Sequence, residues 1–274
     1  MKRASAPSKA FIYAGLALIA LLQLLPFYFG VTTAAKAKTD LSSPWVLPGE
    51  IHWANFRTAI EQGHILTAIG NSAQVTVVST VLVCVLGAFA AYPLARRQTR
   101  GNRLVYAGII GLIMIPPLSV LVPLYTLMKV LHGLNTHWGI IAVMVTGNLP
   151  LAVFLYTAFM RSLPVAIEEA AVVDGASGWQ VLMRIVFPML RPVTATVAIL
   201  AGVGIWNEFA LSTYFLRSDE TRTIAPAVAN FFASQGSNPG AAAAAALLSV
   251  VPVLLAYLFL QRSFIKGMVA GSMK

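Results

Sequence analysis

"ILTAIGNSAQVTVVSTVLVCVLGAFAAYPLA", residues 65–95, contains no Asp, Glu, Lys or Arg. A helix needs about 20 apolar residues to cross the hydrocarbon of a bilayer. This one stretch therefore places the chain in a membrane. The rest of the 274 residues agrees: 58% are hydrophobic and 10% are charged, against about 25% charged in soluble domains.

Five more stretches read the same way: residues 10–35, 104–128, 138–160, 193–215 and 236–260, the fifth span of the chain being interrupted by Glu208. They lack the ten-residue alternation of barrel strands, and lipid satisfies no open backbone groups, so the expectation is an all-α protein with six transmembrane helices. The first stretch follows Lys2, Arg3 and Lys9 as a signal peptide would, but it is longer than a typical signal core and its cleavage signal is weak. It is read as a retained span.

Orientation follows from Lys and Arg outside the spans. Most of the 19 fall on the side of the N-terminus, including Arg96, Arg97, Arg100, Arg103, Arg161, Arg184, Arg191, Arg262 and Lys266; the other side holds Lys36, Lys38, Arg57, Lys129, Arg217 and Arg222. Both termini are expected in the cytoplasm. The net charge of +10 is then a topology signal with membrane lipid as its neighbour, and it calls for no nucleic acid. The single cysteine, Cys84, has no partner, and His52, His64, His132 and His137 have no metal-ligand spacing, so no metal site is expected.

The exception to this apolar pattern is "EEAAVVDGASGWQVLMRIVFPMLRP", residues 168–192. Pro164 suits an early helical position, Asp174-Gly175 is a turn pair, and Ser177 with Gln180 has capping-box spacing. Pro188 is expected to limit the second helix and Pro192 to begin the fifth span. Two short helices at a glycine bend result. Ala170, Ala171, Trp179, Leu182 and Ile185 form an expected apolar face, and Glu168, Glu169, Asp174 and Arg184 an expected charged one. On the residues alone, a loop lying on the membrane is as good a reading as a docking element.

The spacing Glu169-Ala170-Ala171, three residues, Gly175, nine residues, Ile185-Val186-Phe187-Pro188 resembles the EAA loop of importer-type ABC transporter permeases, departing only at Phe187, where Leu is usual. "IPPLSVLVPLY" (115–125), "WNEF" (206–209) and "QRSFIKGMVAGSMK" (261–274) are similar to permeases of carbohydrate importers, and the chain looks like the maltose transporter's G-type subunit. The resemblance implies a type I ABC importer permease fold in the cell inner (plasma) membrane. It also implies that Glu169, Ala170, Ala171, Asp174, Gly175, Ile185 and Pro188 couple the chain to a cytoplasmic ATPase. The implied partners are a second homologous permease, an ATPase homodimer or heterodimer that carries ATP and Mg, and an extracytoplasmic sugar-binding protein. The expected parts are residues 1–64 (first helix and external loop), 65–262 (core, with coupling loop 161–191) and 263–274 (a flexible cytoplasmic tail).

Catalysis is not expected on this chain: it has no G-x-x-x-x-G-K-[ST] phosphate loop and no G-x-S-x-G pattern. A carboxylate near mid-membrane costs roughly 2.5–3.5 kcal/mol on insertion scales, so Glu208 should face a wet cavity or a partner. Trp206, Asn207 and Glu208 are therefore candidates for a solute path or a permease interface, a packing cluster being the alternative. Pro116-Pro117 and Pro150 should kink their helices, and Asn71, Ser72 and Asn148 are expected to make interhelical hydrogen bonds. The class-level alternative, an ion-coupled secondary transporter or channel subunit, requires buried titratable groups on several helices, and Glu208 alone fits.

Overall fold

A computed structural model describes residues 6–97, 99–236 and 238–272. Lys2, Arg3 and Lys274 of the charge argument lie outside them, as do the side chains of residues 259–274. The described chain is helical, with no strand among the described residues. In order, the helices are α1 Ala6–Ala35, α2 Ala54–Glu61, α3 Ile65–Arg96, α4 Arg100–Ile113, α5 Leu121–Val130, α6 His137–Ser162, α7 Ala166–Val173, α8 Gly178–Val181, α9 Phe187–Met189, α10 Arg191–Trp206, α11 Ala210–Phe215, α12 Ile224–Ser234 and α13 Pro239–Ser272. A 3-10 turn, Pro117–Val120, precedes α5, and a π turn, Leu182–Val186, joins α8 to α9.

Four helical segments are long and apolar enough to cross a membrane: Phe11–Ala35, Ile65–Arg96, His137–Ser162 and Pro239–Ala256. Two more spans arise if each bent pair counts as one, Arg100–Ile113 with Pro117–Val130 (98°) and Gly178–Met189 with Arg191–Trp206 (69°). The expected kink at Pro116-Pro117 is thus a near-perpendicular break, because two adjacent residues without N–H donors leave the helix ladder open. The expected fifth span, residues 193–215, is also two pieces: α10 stops at Trp206 and α11 starts at Ala210. Residues 263–272, read from the sequence as a flexible tail, continue α13 to Ser272.

The described residues divide into two compact units. One comprises the residues up to Leu66 with Ala227–Val251. There Asn55 Nδ2 donates to the carbonyls of Ala34 (2.8 Å) and Lys36 (2.7 Å), which satisfies acceptors left open where α1 ends. The other unit comprises Thr67–Pro226 with the residues from Pro252 onward. Its core packs α3, α6 and α10 through Val83, Ala88, Val153, Tyr156, Val197 and Ala201. At Gly87 a Cβ would stand 2.9 Å from Ala152 Cβ, so glycine there lets α3 and α6 approach closely, as small residues do between membrane helices. Tyr156 Oη donates to Thr194 Oγ1 at 3.0 Å, linking α6 to α10.

At the other end of this unit, Asn135 joins two loops. Its φ is +56°, a left-handed conformation that Asn tolerates. Its Oδ1 accepts from the backbone of Arg217 and Ser218 (3.0 Å each) and from Thr221 Oγ1 (2.7 Å). Asn71 donates to the carbonyls of Glu220 (2.7 Å) and Arg222 (3.0 Å), and Ser72 Oγ accepts from Ile224 N (2.7 Å). Asn71 and Ser72 thus hold the segment after α11, whereas Asn148 donates within its own helix, to Met144 O at 2.8 Å.

Candidate functional site: an anchored helical elbow

The stretch from α7 to α9 is organised by consecutive local motifs. α7 carries Glu168 and Glu169 in its first turn, where carboxylates complement the helix dipole. It ends in a Schellman turn: Ala176 N donates to Ala171 O (2.9 Å) and Gly175 N to Val172 O (3.0 Å). Gly175 takes φ +85° at the position where that turn requires it. Two residues on, Ser177 Oγ accepts from Gln180 N (3.3 Å) and Gln180 Oε1 from Ser177 N (2.8 Å), the reciprocal capping box.

Beyond this cap the helix widens rather than stops. Phe187 N donates to Leu182 O across the π turn, and the chain runs through Pro188 to Met189 before bending at Leu190. Pro188 therefore does not limit the second helix as its missing donor suggested; the break comes where Leu190 is buried and α10 begins with Pro192 in its first turn.

The elbow is anchored by a residue that the sequence assigned to the wrong face. Glu168, expected on a charged solvent face, is 9% exposed. Arg96 Nε donates to its Oε1 at 2.7 Å and Tyr92 Oη to its Oε2 at 3.0 Å. Arg96 Nη1 also donates to Met160 O (2.7 Å), and Arg161 Nη2 to Leu94 O (3.2 Å), while the Arg161 guanidinium lies 4.7 Å over the Tyr106 ring. The ends of α3 and α6 and the first turn of α7 thus meet at one ion pair. An open cavity of about 650 Å³ beside it is lined by Arg96, Arg161, Glu168 and Glu169, with Val172 and Val173 at its side.

The rest of the elbow faces outward. Glu169, Ala170, Asp174, Gly175 and Pro188 are exposed, Ala171 and Ile185 are half-buried, and Leu182 is buried. Ala170 and Trp179 of the expected apolar face are exposed, not packed into the bundle. Trp179 still stacks on Phe89, with centroids 5.9 Å apart and planes at 11°. With Val172 and Val173 it gives the elbow an uncovered apolar surface.

The second candidate cluster lies at the break between α10 and α11. Glu208 Oε1 accepts from Leu211 N, and Oε2 from Ser212 N and Ser212 Oγ, each at 2.7 Å. Its acceptors go to the first turn of α11, as an N-terminal cap's would, so the carboxylate interrupts the span rather than sitting within a continuous helix. Asn207 donates to Val203 O (2.9 Å) and is exposed; Trp206 is half-buried. No group of three or more His, Cys, Asp or Glu able to hold a metal occurs among the described residues.

Residues 84–269 match the family described as binding-protein-dependent transport system inner membrane component. Over their full lengths, the chain and the melibiose/raffinose/stachyose import permease protein MelC of Bacillus subtilis (strain 168) are 38% identical. The diacetylchitobiose uptake system permease protein NgcG of Streptomyces coelicolor is 33% identical over 97% of this chain and 89% of its own. In fold, the chain is similar to a chain from the crystal structure of a bacterial ABC transporter involved in import of the acidic polysaccharide alginate. The TM-score is 0.78 at 20% identity, covering 96% of this chain and 99% of that one.

Proposed function

The chain belongs to the family of binding-protein-dependent transport system inner membrane components, and on that premise we propose that it forms half of the path of an ATP-driven sugar importer and couples to an ATPase through the α7–α9 elbow. It is a multi-pass inner membrane permease subunit. A sugar cargo is supported by the relatives named for melibiose, raffinose, stachyose and diacetylchitobiose.

The observation that carries the coupling role is the pairing of a firm anchor with an uncovered surface. The Schellman turn and capping box fix the elbow's shape, and Arg96–Glu168 ties it to α3 and α6. Glu169, Ala170 and Asp174, with Val172, Val173 and Trp179, remain available to a partner. Exposed carboxylates beside exposed apolar side chains suit a groove that is apolar with a basic rim. ATP and Mg reside on that partner; this chain lacks a phosphate loop. When the ATPase pair closes, the elbow moves as one body and carries α3 and α6 with it, so the bundle alternates its access.

The full assembly is this chain, a second homologous permease, an ATPase pair and an extracytoplasmic sugar-binding protein, with both termini of this chain cytoplasmic. Trp206 and Asn207 line the path or the permease interface, and Glu208 shapes the helix break that presents them. The test is co-purification in mild detergent, wild type against Gly175→Val with Glu169→Lys. Recovery of an ATPase with the wild type and its loss with the variant is the expected result. Uptake by wild-type proteoliposomes that needs no nucleotide, with no ATPase recovered, would overturn the proposal.

A further inference from the structure

The segment between α1 and α2 has no part in coupling, yet it is folded in an unusual direction. Lys36 Nζ donates to Ser42 O (3.2 Å), Ser42 Oγ (2.7 Å) and Ser43 O (2.7 Å). Thr32 Oγ1 donates to Pro44 O (2.9 Å), and Tyr28 Oη to Trp45 O (2.7 Å). The Trp45 ring meets Phe29 edge-on, with centroids 4.6 Å apart. As the segment advances from Ser42 to Trp45, its partners on α1 recede from Lys36 to Tyr28. The chain therefore lies back against the last two turns of α1 and closes there in a turn, in which Val46 N donates to Ser43 O at 2.9 Å. It then returns, and His52 N donates to Ala35 O at 2.8 Å.

The tip of this hairpin is Trp45, Val46 and Leu47, which are 62%, 53% and 67% exposed. Its polar groups are placed at the opposite end. Asp40 accepts from Ser42, whose hydroxyl and backbone N–H hold its carboxyl below the usual carboxylate range, so it remains ionised near the Lys36 level. Lys36 itself is 6% exposed, its ammonium enclosed by loop oxygens. Charge thus sits level with the end of α1, and Trp45, which leads into the exposed Val46 and Leu47, sits at the level of Tyr28 and Phe29.

Depth follows from length. The apolar run of α1 starts at Phe11, and about 20 residues cross the hydrocarbon, so the far boundary falls near Gly30. Tyr28, Phe29 and the tip packed on them lie at that boundary, where amphipathic Tyr and Trp rings are enriched. Toward its start from Tyr28, α1 itself exposes Leu22, Leu24 and Phe27.

We propose that the segment 37–53 is a membrane-interface anchor, in which Trp45, Val46 and Leu47 enter the boundary between headgroups and acyl chains of the leaflet at the Ala35 end of α1. It fixes the depth and tilt of α1 by a second contact beside the helix. The proposal rests on the membrane placement of the chain and is independent of the cargo.

The test uses the assembled transporter in lipid nanodiscs, on a Cys84→Ser background, with a nitroxide on Leu47→Cys. Collision with oxygen and with a water-soluble nickel chelate is compared with that at Leu22→Cys on the flank of α1 and at Glu50→Cys in the loop. The expected result is oxygen access between those at residues 50 and 22, as befits a boundary site, and nickel access several-fold lower than at residue 50. Nickel access equal to that at residue 50 overturns the anchor. Low access to both reagents, with an immobilised spectrum, also overturns it and assigns the surface to a protein partner. Val46→Cys repeats the reading should the first label impair assembly. Sugar uptake, scored in parallel, separates the outcomes: a lipid signature without ATP-driven uptake supports the anchor while counting against the importer reading.

Discussion

Replacing Glu168 tests whether the elbow is anchored by charge. The carboxylate takes two donors, Arg96 Nε and Tyr92 Oη, and both ion-pair side chains are 12% accessible. Glu168→Gln keeps the shape and an acceptor but removes the charge. Bonds to charged groups contribute about 1.5–3 kcal/mol against about 0.5–1.5 for neutral ones, so two such bonds lose about 2 kcal/mol together. Glu168→Ala leaves Arg96 without its counter-charge and is expected to cost about 3–5 kcal/mol, as when one partner of a buried pair is removed. Arg96→Ala should cost a similar amount. The double variant should fall short of the sum by about 2 kcal/mol, within the range found for residues in direct contact. Unfolding of the purified chain in bicelles gives these energies, and the ratio of ATP hydrolysed to sugar imported gives the functional counterpart, expected to rise several-fold in Glu168→Gln. Additivity within about 0.5 kcal/mol, with an unchanged ratio, would refute the anchor.

Three further outcomes are expected. Gly175→Val meets open space on every side, so its cost is the left-handed backbone alone, about 1–2 kcal/mol; Gly175→Asn should recover most uptake, and equal loss in both would show that the turn is not the reason for glycine. Gly87→Val pushes a Cβ into Ala152 and should lower stability by about 1–3 kcal/mol, the usual cost of overpacking, read as a fall in Tm with normal membrane insertion. Glu208→Ala should fray α11 at a cost of about 1–2 kcal/mol, typical of a lost cap, while Glu208→Gln keeps one acceptor oxygen, hence part of the cap, and most uptake. A Gln variant with wild-type Tm but no uptake would instead put the charge on the solute path.

What could be read from the sequence is what is local in the chain. Asp174-Gly175 and the Ser177–Gln180 spacing each encode a motif within a few residues, and each forms as its chemistry requires. Glu168 and Glu169 are neighbours of identical type, and nothing nearby distinguishes them. Glu168 is the buried one because Arg96 and Tyr92, 72 and 76 residues away in sequence, meet it in space. Asn135 was passed over for the same reason: its partners are more than 80 residues distant. In the fifth span, Asn207, Glu208 and Ser212 were available as a sign of a capped helix start, but the surrounding apolar residues masked the break. The fold-back of residues 42–45 carries no periodic signal at all, since its register is set by single side chains of α1.

The 98° break between α4 and α5 bears on how the chain is made. Machinery that inserts nascent segments responds to linear hydrophobicity, and residues 104–128 present one apolar stretch without Asp, Glu, Lys or Arg, long enough to cross as a single span. In the folded chain this stretch is two helices, of 14 and 10 residues. They are about 21 and 15 Å long at 1.5 Å per residue, and neither crosses alone. α4 is held by α6, through Tyr106 under Arg161 among other contacts, and α6 is synthesised later. The segment is therefore expected to enter the bilayer as one span, already weakened at Pro116-Pro117, and to open to the full break only when α6 arrives. A nascent chain halted at Val130 should map as a full span, and one halted after Ser162 as the bent pair. Biogenesis of this subunit then includes a rearrangement inside the bilayer, after insertion and before any partner is met.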